Sequence, residues 1–559
     1  MAKQIENMEK KAADSPTSIN SLIGVRRAEL LKSMGVLVGH AVRQPKPLAK
    51  NLAKYGKELT QIVQGKSELA PELRDRRFMD PTWQHNKVYK YGLQSWLAMR
   101  EGMEGWIDDS GIAEDDKARV NFLLNILADS LAPTNTLLGN PAAMKRLFES
   151  GGMSIINGMK NAYDDLRNNG GMPSMVDGSK FEVGGNLATS EGSVVYKNEM
   201  LELIQYKPTT DKVYEIPVVI VPPQINKFYA NDLSPEKSVI RYYTSKGYQM
   251  FAISWRNPQR QHSHWGLENY VQSLIEATDA VMKITRSKKI NMSGACSGGI
   301  TLASFLNELQ ARGDERVNTY TLQVCVLDGD KSDTEMGLFV SDKSIEAARK
   351  MSRRKGILEG EQLAKTFAWM RPNDLIWNYV VNNYLLGDQP PAFDILFWND
   401  DTTNLPAQLH SDYLDLALDK RFAKESSVEF MGHEIDLSKI EIDGFMIAGV
   451  TDHITPWRAC YRNTQLFGGK IDFVLANAGH IQSLLNPPGN PKAKYFTNKK
   501  IEATSDEWLA GAEEHQGSWW EYWDKWLGAR SGELKNSPKK LGNKSHPPTV
   551  KAPGEYVFT

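Results

Sequence analysis

Ile290-Asn-Met-Ser-Gly-Ala-Cys-Ser-Gly-Gly-Ile300 decides the reading of this chain. A brief strand, Ile290-Asn-Met, leads into Gly294-x-Cys296-x-Gly298, and the following run from Ile300 to Arg312 has helical spacing and closes at Gly313. This is the form of a nucleophile elbow, with cysteine where serine usually stands. The turn from strand to helix is so tight that a Cβ on either flanking residue would clash, so glycine stands on both sides. The residue at the tip lies near a helix N-terminus, whose dipole favours a thiolate. A phosphate-binding loop is excluded because no Lys-Ser/Thr follows the glycines.

Outward from the elbow, strands and helices alternate. Ile216-Pro-Val-Val-Ile-Val-Pro-Pro223 is a buried strand that stops at two prolines, and Tyr248 to Trp255 is another. Leu267 to Ser287 carries Tyr270, Leu274, Ala277, Val281 and Ile284 on one helical face, and Val317 to Leu327 reads as a strand. The pattern resumes with a strand at Phe445-Met-Ile-Ala-Gly-Val450, a helix from Trp457 to Leu466 and a strand at Ile471 to Ala476. Such alternation predicts a mostly parallel sheet with helices on both faces. With the elbow, the fold class is α/β, α/β-hydrolase-like, over residues 191–528. The alternation breaks between about 328 and 439, in an insert rich in aromatics and Asn, such as Phe367-Ala-Trp-Met-Arg-Pro-Asn and Phe393-Asp-Ile-Leu-Phe-Trp. It reads as a cap over a site, or as a structural excursion or dimer surface.

Residues 1–190 form a mainly helical N-terminal domain, with helical spacing at Arg26 to Val38 and Arg119 to Leu131 and breakers such as Asn169-Gly-Gly-Met-Pro. Amphipathic helices of this kind serve a hydrophobic surface or, more commonly, pack on the same chain. Trp519, Trp523 and Trp526 share one helical face, which reads as packing. The tail at 529–559 is rich in Lys, Pro, Gly and Ser and is expected to be poorly ordered.

The length of 559 residues allows three or four domains at about 150 residues each, but the pattern needs only two. Lys+Arg 67 against Asp+Glu 68 leaves a net charge of −1, which argues against a surface built to trap nucleic acid. Three cysteines, Cys296, Cys325 and Cys460, cannot form a disulfide-dense scaffold and read as reduced thiols of a cytoplasmic protein. The charged N-terminus lacks the apolar core of a signal peptide. No stretch approaches the roughly 18 apolar residues of a transmembrane segment.

An elbow of this fold predicts its partners in the order nucleophile, acid, histidine, each just past a strand. Asp452 follows Phe445 to Thr451, and His480 follows Ile471 to Gly479. His453 is adjacent in an extended chain and points away from Asp452's side, so it reads as structural or as a supporting residue. Cys325 reads as a small buried residue. His262 and His264 lack a carboxylate or thiol at ligand spacing, so a solvated loop is expected there and no metal site. An oxyanion hole needs the N–H of Ser297 and one from the Pro222-Pro-Gln-Ile-Asn226 turn, where proline cannot donate; Gln224 is preferred over Ile225. Thiolate, histidine and acid together perform acyl transfer through a covalent thioester without a cofactor. Thioester exchange is nearly balanced energetically, so cysteine suits an acyl group that arrives on a thiol carrier and is passed on. Hydrolysis is equally open to the same triad.

Longer motifs narrow this. Val221-Pro-Pro-Gln-Ile-Asn-Lys-Phe-Tyr, Asp232-Leu-Ser-Pro, Ser254-Trp-Arg-Asn-Pro, Gly294-Ala-Cys-Ser-Gly-Gly, Arg371-Pro-Asn-Asp-Leu-Ile-Trp, Asp452-His-Ile-Thr-Pro-Trp and Gly479-His-Ile-Gln-Ser are spread over nearly the whole chain. With Leu131-Ala-Pro-Thr-Asn and Gly24-Val-Arg-Arg, they resemble the polyhydroxyalkanoate synthases of the class II type. The resemblance implies polymerisation of (R)-3-hydroxyacyl-CoA with release of CoA, coenzyme A being part of the substrate. It places the family's nucleophile on Cys296, its acid on Asp452 and its histidine on His480. It also implies preference for medium-chain acyl groups, a homodimer, action at polyester granules and a mobile cap within the insert. The loop Asp328-Gly-Asp-Lys-Ser-Asp-Thr-Glu departs from the pattern and leaves the acyl-length preference open. The competing readings are a Cys-His-Asp thioesterase or dienelactone-type hydrolase, and a granule-bound structural protein.

Overall fold

Apolar runs without alternation, such as Val218-Val-Ile-Val221, are buried on both faces, as strands sandwiched between helices must be. The computed structural model describes residues 39–72, 75–329, 342–370, 372–419 and 429–559, together with Ile5, Gly35 and Phe422. Apart from Gly35, the helix expected at 26–38 lies outside the described residues, as do Arg371 and the polar loop beyond Gly329.

One ten-stranded sheet organises the chain. Its strands are β1 Gly192–Lys197, β2 Leu201–Tyr206, β3 Val218–Val221, β4 Met250–Trp255, β5 Ile290–Ala295, β6 Val317–Gln323, β7 Asp443–Gly449, β8 Ile471–Ala476, β9 Lys494–Thr497 and β10 Glu513–Gln516. They lie in the order β1-β2-β4-β3-β5-β6-β7-β8-β9-β10. From β4 to β8 all pairings are parallel, and the margins are antiparallel. The register sets Val221 beside Gly294, Ala295 beside Gln323 and Gly449 beside Ala476. The Pro222 turn, the elbow and the loops after β7 and β8 therefore emerge together at the carboxyl edge, where ligands of open α/β sheets bind.

Each face of the sheet carries its own core. Phe251 and Ile253 of β4 join the helices Leu267–Thr285 and Ser297–Ala311, while Met250 and Ala252 face the opposite cluster. The helix Trp519–Gly528 belongs to that second cluster, as the tryptophan spacing predicted. Its indole N–H groups donate to the Ser483 carbonyl from Trp519 (2.7 Å), to Thr321 from Trp523 (3.0 Å) and to Asp472 from Trp526 (2.8 Å).

The described chain ahead of β1 is helical, at Pro45–Val63, Lys87–Asp109, Glu114–Ser130, Pro141–Glu149 and Met153–Asn168, with a small core of Phe78, Trp83, Leu93 and Trp96. The insert between β6 and β7 includes the helices Asp342–Lys355, Gly360–Met370, Asp394–Asp400 and Ala407–Asp419. N-terminal region and insert are bolted together. Arg77 donates to Asn373 (3.0 Å) and Tyr384 donates to the buried Asp165 (2.8 Å), while Gly158 packs so closely on the Tyr384 backbone that no Cβ would fit.

The tail corrects the sequence expectation. Residues 529–559 are packed, not loose. Leu534–Asn536 pairs with Lys212–Tyr214, and the Val194 N–H and carbonyl of β1 bond to Val550 and Thr549. Tyr556 and Val557 are buried. Glu202 accepts from the Tyr556 N–H (2.9 Å) and Lys227 donates to the Val557 carbonyl (2.7 Å). Composition misled because this segment has few apolar residues of its own. Its backbone is satisfied instead by an edge strand and by two buried charged side chains.

Candidate active site

Cys296 sits between β5 and the helix Ser297–Ala311 with φ 50° and ψ −123°, a backbone region costly for a side-chain-bearing residue and concentrated at functional sites. Its N–H is anchored on the Gln323 carbonyl at 2.9 Å. The flanking glycines are required sterically. A Cβ on Gly294 would lie 2.7 Å from the Gly298 carbonyl oxygen, and one on Gly298 would lie 2.6 Å from that of Pro222. Cys325 lies under the elbow, where a Cβ on Gly299 would meet its Sγ at 2.7 Å, so it is the buried packing residue expected. Burial pushes the Cys325 and Cys460 thiols far above the ordinary cysteine range. Cys296 alone of the three is partly exposed.

Asp452 and His480, widely separated in sequence, meet behind it. The Asp452 Oδ2 lies 2.8 Å from His480 Nδ1. Its other oxygen accepts the N–H groups of Ile454 (2.8 Å) and Thr455 (2.9 Å), an Asx turn that fixes the carboxylate. Burial pushes the Asp452 carboxyl up, but His480 and the donors of Thr455 outweigh it and hold it below the usual range. Burial likewise lowers His480, yet the Asp452 carboxylate and the hydrogen-bonded Cys296 raise it to about 10. The imidazole thus bridges carboxylate and sulfur. His453 is the residue the acid does not use in this way; it lines the cavity instead.

Sequence reasoning missed Thr455. Its hydroxyl donates to Asp452 Oδ2 at 2.7 Å and lies 3.1 Å from His480 Nδ1, closing a three-way junction. The Asp-x-x-Thr spacing was the available signal. His262 also departs from expectation. It is buried, stacked on Trp265 at 4.0 Å, with Nδ1 accepting the Gln259 N–H at 2.9 Å, because a flat imidazole covers an indole better than solvent does.

The oxyanion donors need one correction. Ser297 opens its helix, so its N–H has no intrahelical partner. Gln224 does not fit. Its N–H donates to Ser297 Oγ at 3.2 Å, and the residue is absent from the cavity lining. The next N–H along the turn, that of Ile225, has no hydrogen-bond partner among the described residues, and Ile225 does line the cavity. The physical reason is that the elbow's own hydroxyl competes for the first donor after the prolines.

Cys296 and His480 open into a cavity of about 760 Å³. Its walls are largely apolar, with Ile225, Ile300, Leu363, Trp398, Leu416 and Phe422 among them, several supplied by the insert. Among the described residues no group of three His, Cys, Asp or Glu side chains is placed to hold a metal, and no helix is long and apolar enough to cross a membrane.

Sheet order, elbow, and a thiol, a carboxylate and an imidazole in that chain order define a protein of the α/β-hydrolase fold equipped for acyl transfer. Comparison with known proteins agrees. Residues 217–487 match the family model described as alpha/beta hydrolase fold, and residues 74–243 match that of the poly-beta-hydroxybutyrate polymerase (PhaC) N-terminus. The chain is 50% identical to poly(3-hydroxyalkanoate) polymerase 1 of Ectopseudomonas oleovorans, over 99% of both chains. It is 48% identical to polymerase 2 of the same organism, over 97% of this chain and 96% of the relative. It is 37% identical to the polymerase subunit PhaC of Cupriavidus necator, over 89% and 85%. The chain belongs to the poly(3-hydroxyalkanoate) polymerase family.

Proposed function

We propose that this chain is an acyltransferase that polymerises (R)-3-hydroxyacyl-CoA thioesters into polyhydroxyalkanoate and releases CoA through a thioester on Cys296. The observation that carries the reading is the Cys296–His480–Asp452 chain of contacts at the floor of an apolar cavity, in a protein of the polymerase family. His480, raised to about 10, holds the proton of the Cys296–His480 pair, and the Cys296 Sγ attacks the acyl-CoA carbonyl. The Sγ–C bond forms, the C–S bond to CoA breaks, and His480 returns the proton to the departing sulfur. The oxygen of the tetrahedral intermediate is held by the N–H groups of Ser297 and Ile225. A 3-hydroxyl then gives its proton to a base, His480 or Asp452. Its oxygen attacks the acyl-cysteine carbonyl, the C–Sγ bond breaks, and the thiol is restored. No cofactor enters this sequence.

Association with polyester granules and a homodimeric state belong to the same reading. The helix Met153–Asn168 supports a role at an apolar surface. It buries Ser154, Gly158 and Asp165 and turns Ile156, Met159, Tyr163 and Leu166 outward. Incubation with (R)-3-hydroxyacyl-CoA tests the function. Insoluble polyester supports it; free acid makes the chain a thioesterase, and neither product refutes both. Cys296→Ala is expected to abolish CoA release.

A further inference from the structure

The cavity is not formed by the sheet alone; two polar residues of the insert reach down to the turn after β3. Every polar group of the buried Gln224 is engaged. Its N–H donates to Ser297 Oγ (3.2 Å) and its side-chain Nε2 donates to Thr301 Oγ1 (2.9 Å), both on the elbow helix. Its Oε1 accepts from the Tyr413 hydroxyl at 2.6 Å, and its carbonyl accepts from Thr403 Oγ1 at 2.7 Å. The same Thr403 oxygen accepts the N–H of Asn226 at 2.8 Å, in a residue whose φ of 69° is left-handed. The hydrogen bonds of Thr403 thus grip the turn on either side of Ile225, while Tyr413 holds it through the Gln224 side chain. Tyr413 lies on the helix Ala407–Asp419 and is itself buried, so this network is shielded from water, where hydrogen bonds position most firmly.

We propose that Tyr413 and Thr403 are positioning residues for acyl transfer: by locking Gln224 onto the elbow helix, they hold the Ile225 N–H where the thioester oxygen gathers charge. The insert then completes the oxyanion site as well as covering it. The proposal rests on the acyl-transfer reading above, and it assigns neither residue a contact with the reacting atoms.

The test compares two reactions of one thiol. Acylation by (R)-3-hydroxydecanoyl-CoA develops an oxyanion. Alkylation of Cys296 by iodoacetamide, followed by peptide mass mapping, needs the activated sulfur but no oxyanion. Tyr413→Phe and Thr403→Val are each expected to lower kcat about 10- to 100-fold, with KM within about threefold and alkylation within about twofold of the unaltered protein. Thr403→Ser, which keeps the hydroxyl, is expected to recover most of the loss seen with Thr403→Val. Should Tyr413→Phe fail to fold, the Thr403 pair carries the test. Acylation within about threefold of normal in both variants overturns the proposal, as does alkylation that slows in parallel with acylation. Absence of acylation in the unaltered protein overturns the acyl-transfer reading itself, and is thereby distinguished from failure of the positioning role.

Discussion

Gly298→Ala tests whether the elbow and the turn after β3 form one rigid unit. The added methyl carbon would lie 2.6 Å from the Pro222 carbonyl oxygen and 2.7 Å from its carbon, and closer still to the Val221 carbonyl oxygen. Ordinary contact begins near 3.4 Å, so helix and turn must separate by about 0.5–1 Å in an interior with no spare room. Alanine otherwise favours a helix over glycine by about 1 kcal/mol. Overpacking against backbone on this scale costs about 1–3 kcal/mol. A net loss of up to about 2 kcal/mol is expected. The functional loss should be larger in proportion. The turn being pushed carries Ile225, and misplacement by about 1 Å costs about 100-fold in rate. CoA release measured by thiol titration gives kcat, and thermal denaturation by circular dichroism gives stability. A variant within about threefold of normal kcat, melting within about 1 °C of normal, refutes the steric reasoning.

Other outcomes follow from the acid, the histidine and the tail. In single-turnover experiments on Asp452→Asn, normal acylation with failed elongation would make Asp452 the base for the 3-hydroxyl, whereas equal loss would make it the residue that orients His480. His480 is raised from 6.5 to about 10 in the folded chain. Its stabilising contribution is therefore complete below about pH 6.5 and lost as pH rises through about 10. The melting temperature should fall less between pH 7 and 10 in His480→Gln than in the unaltered protein. Asp452 acts at the other end, contributing above its ordinary 3.8 and losing that contribution as pH falls through its lowered native value. Tyr556→Ala removes a buried ring, its hydroxyl bond to the Asn198 carbonyl (2.7 Å) and the surface under Arg256. It should cost about 3 kcal/mol in denaturant titrations; an unchanged midpoint would mean that the tail contributes nothing.

The cluster of Cys296, His480 and Asp452 was legible in sequence because its signals are local. Gly294 and Gly298 stand where neighbouring backbone leaves no room for a Cβ, and strand and helix lie immediately on either side. Asp452 and His480 each follow a strand of the same parallel block, so chain order alone carried them to one edge. Thr455 was half-legible, since its spacing from Asp452 is written in sequence but its reach to His480 is not. The choice between Gln224 and Ile225 was beyond local reasoning, because it turns on Ser297, distant in the chain, taking the first N–H. The burial of His262 and the docking of the tail were equally hidden, since a polar segment becomes ordered only through partners its own composition does not reveal.

By itself, then, the sequence determined the strand-elbow-helix unit and which thiol, acid and histidine emerge at one edge of the sheet. Steric exclusion around a tight turn and the direction of parallel strands act over a few residues and leave a direct imprint there. Tertiary structure alone decided which N–H of the turn the Ser297 hydroxyl occupies, and it joined Tyr413 and Thr403 of the insert to Gln224. A hydrogen-bond donor can be spent only once, and which partner takes it depends on groups that folding brings together from distant parts of the chain.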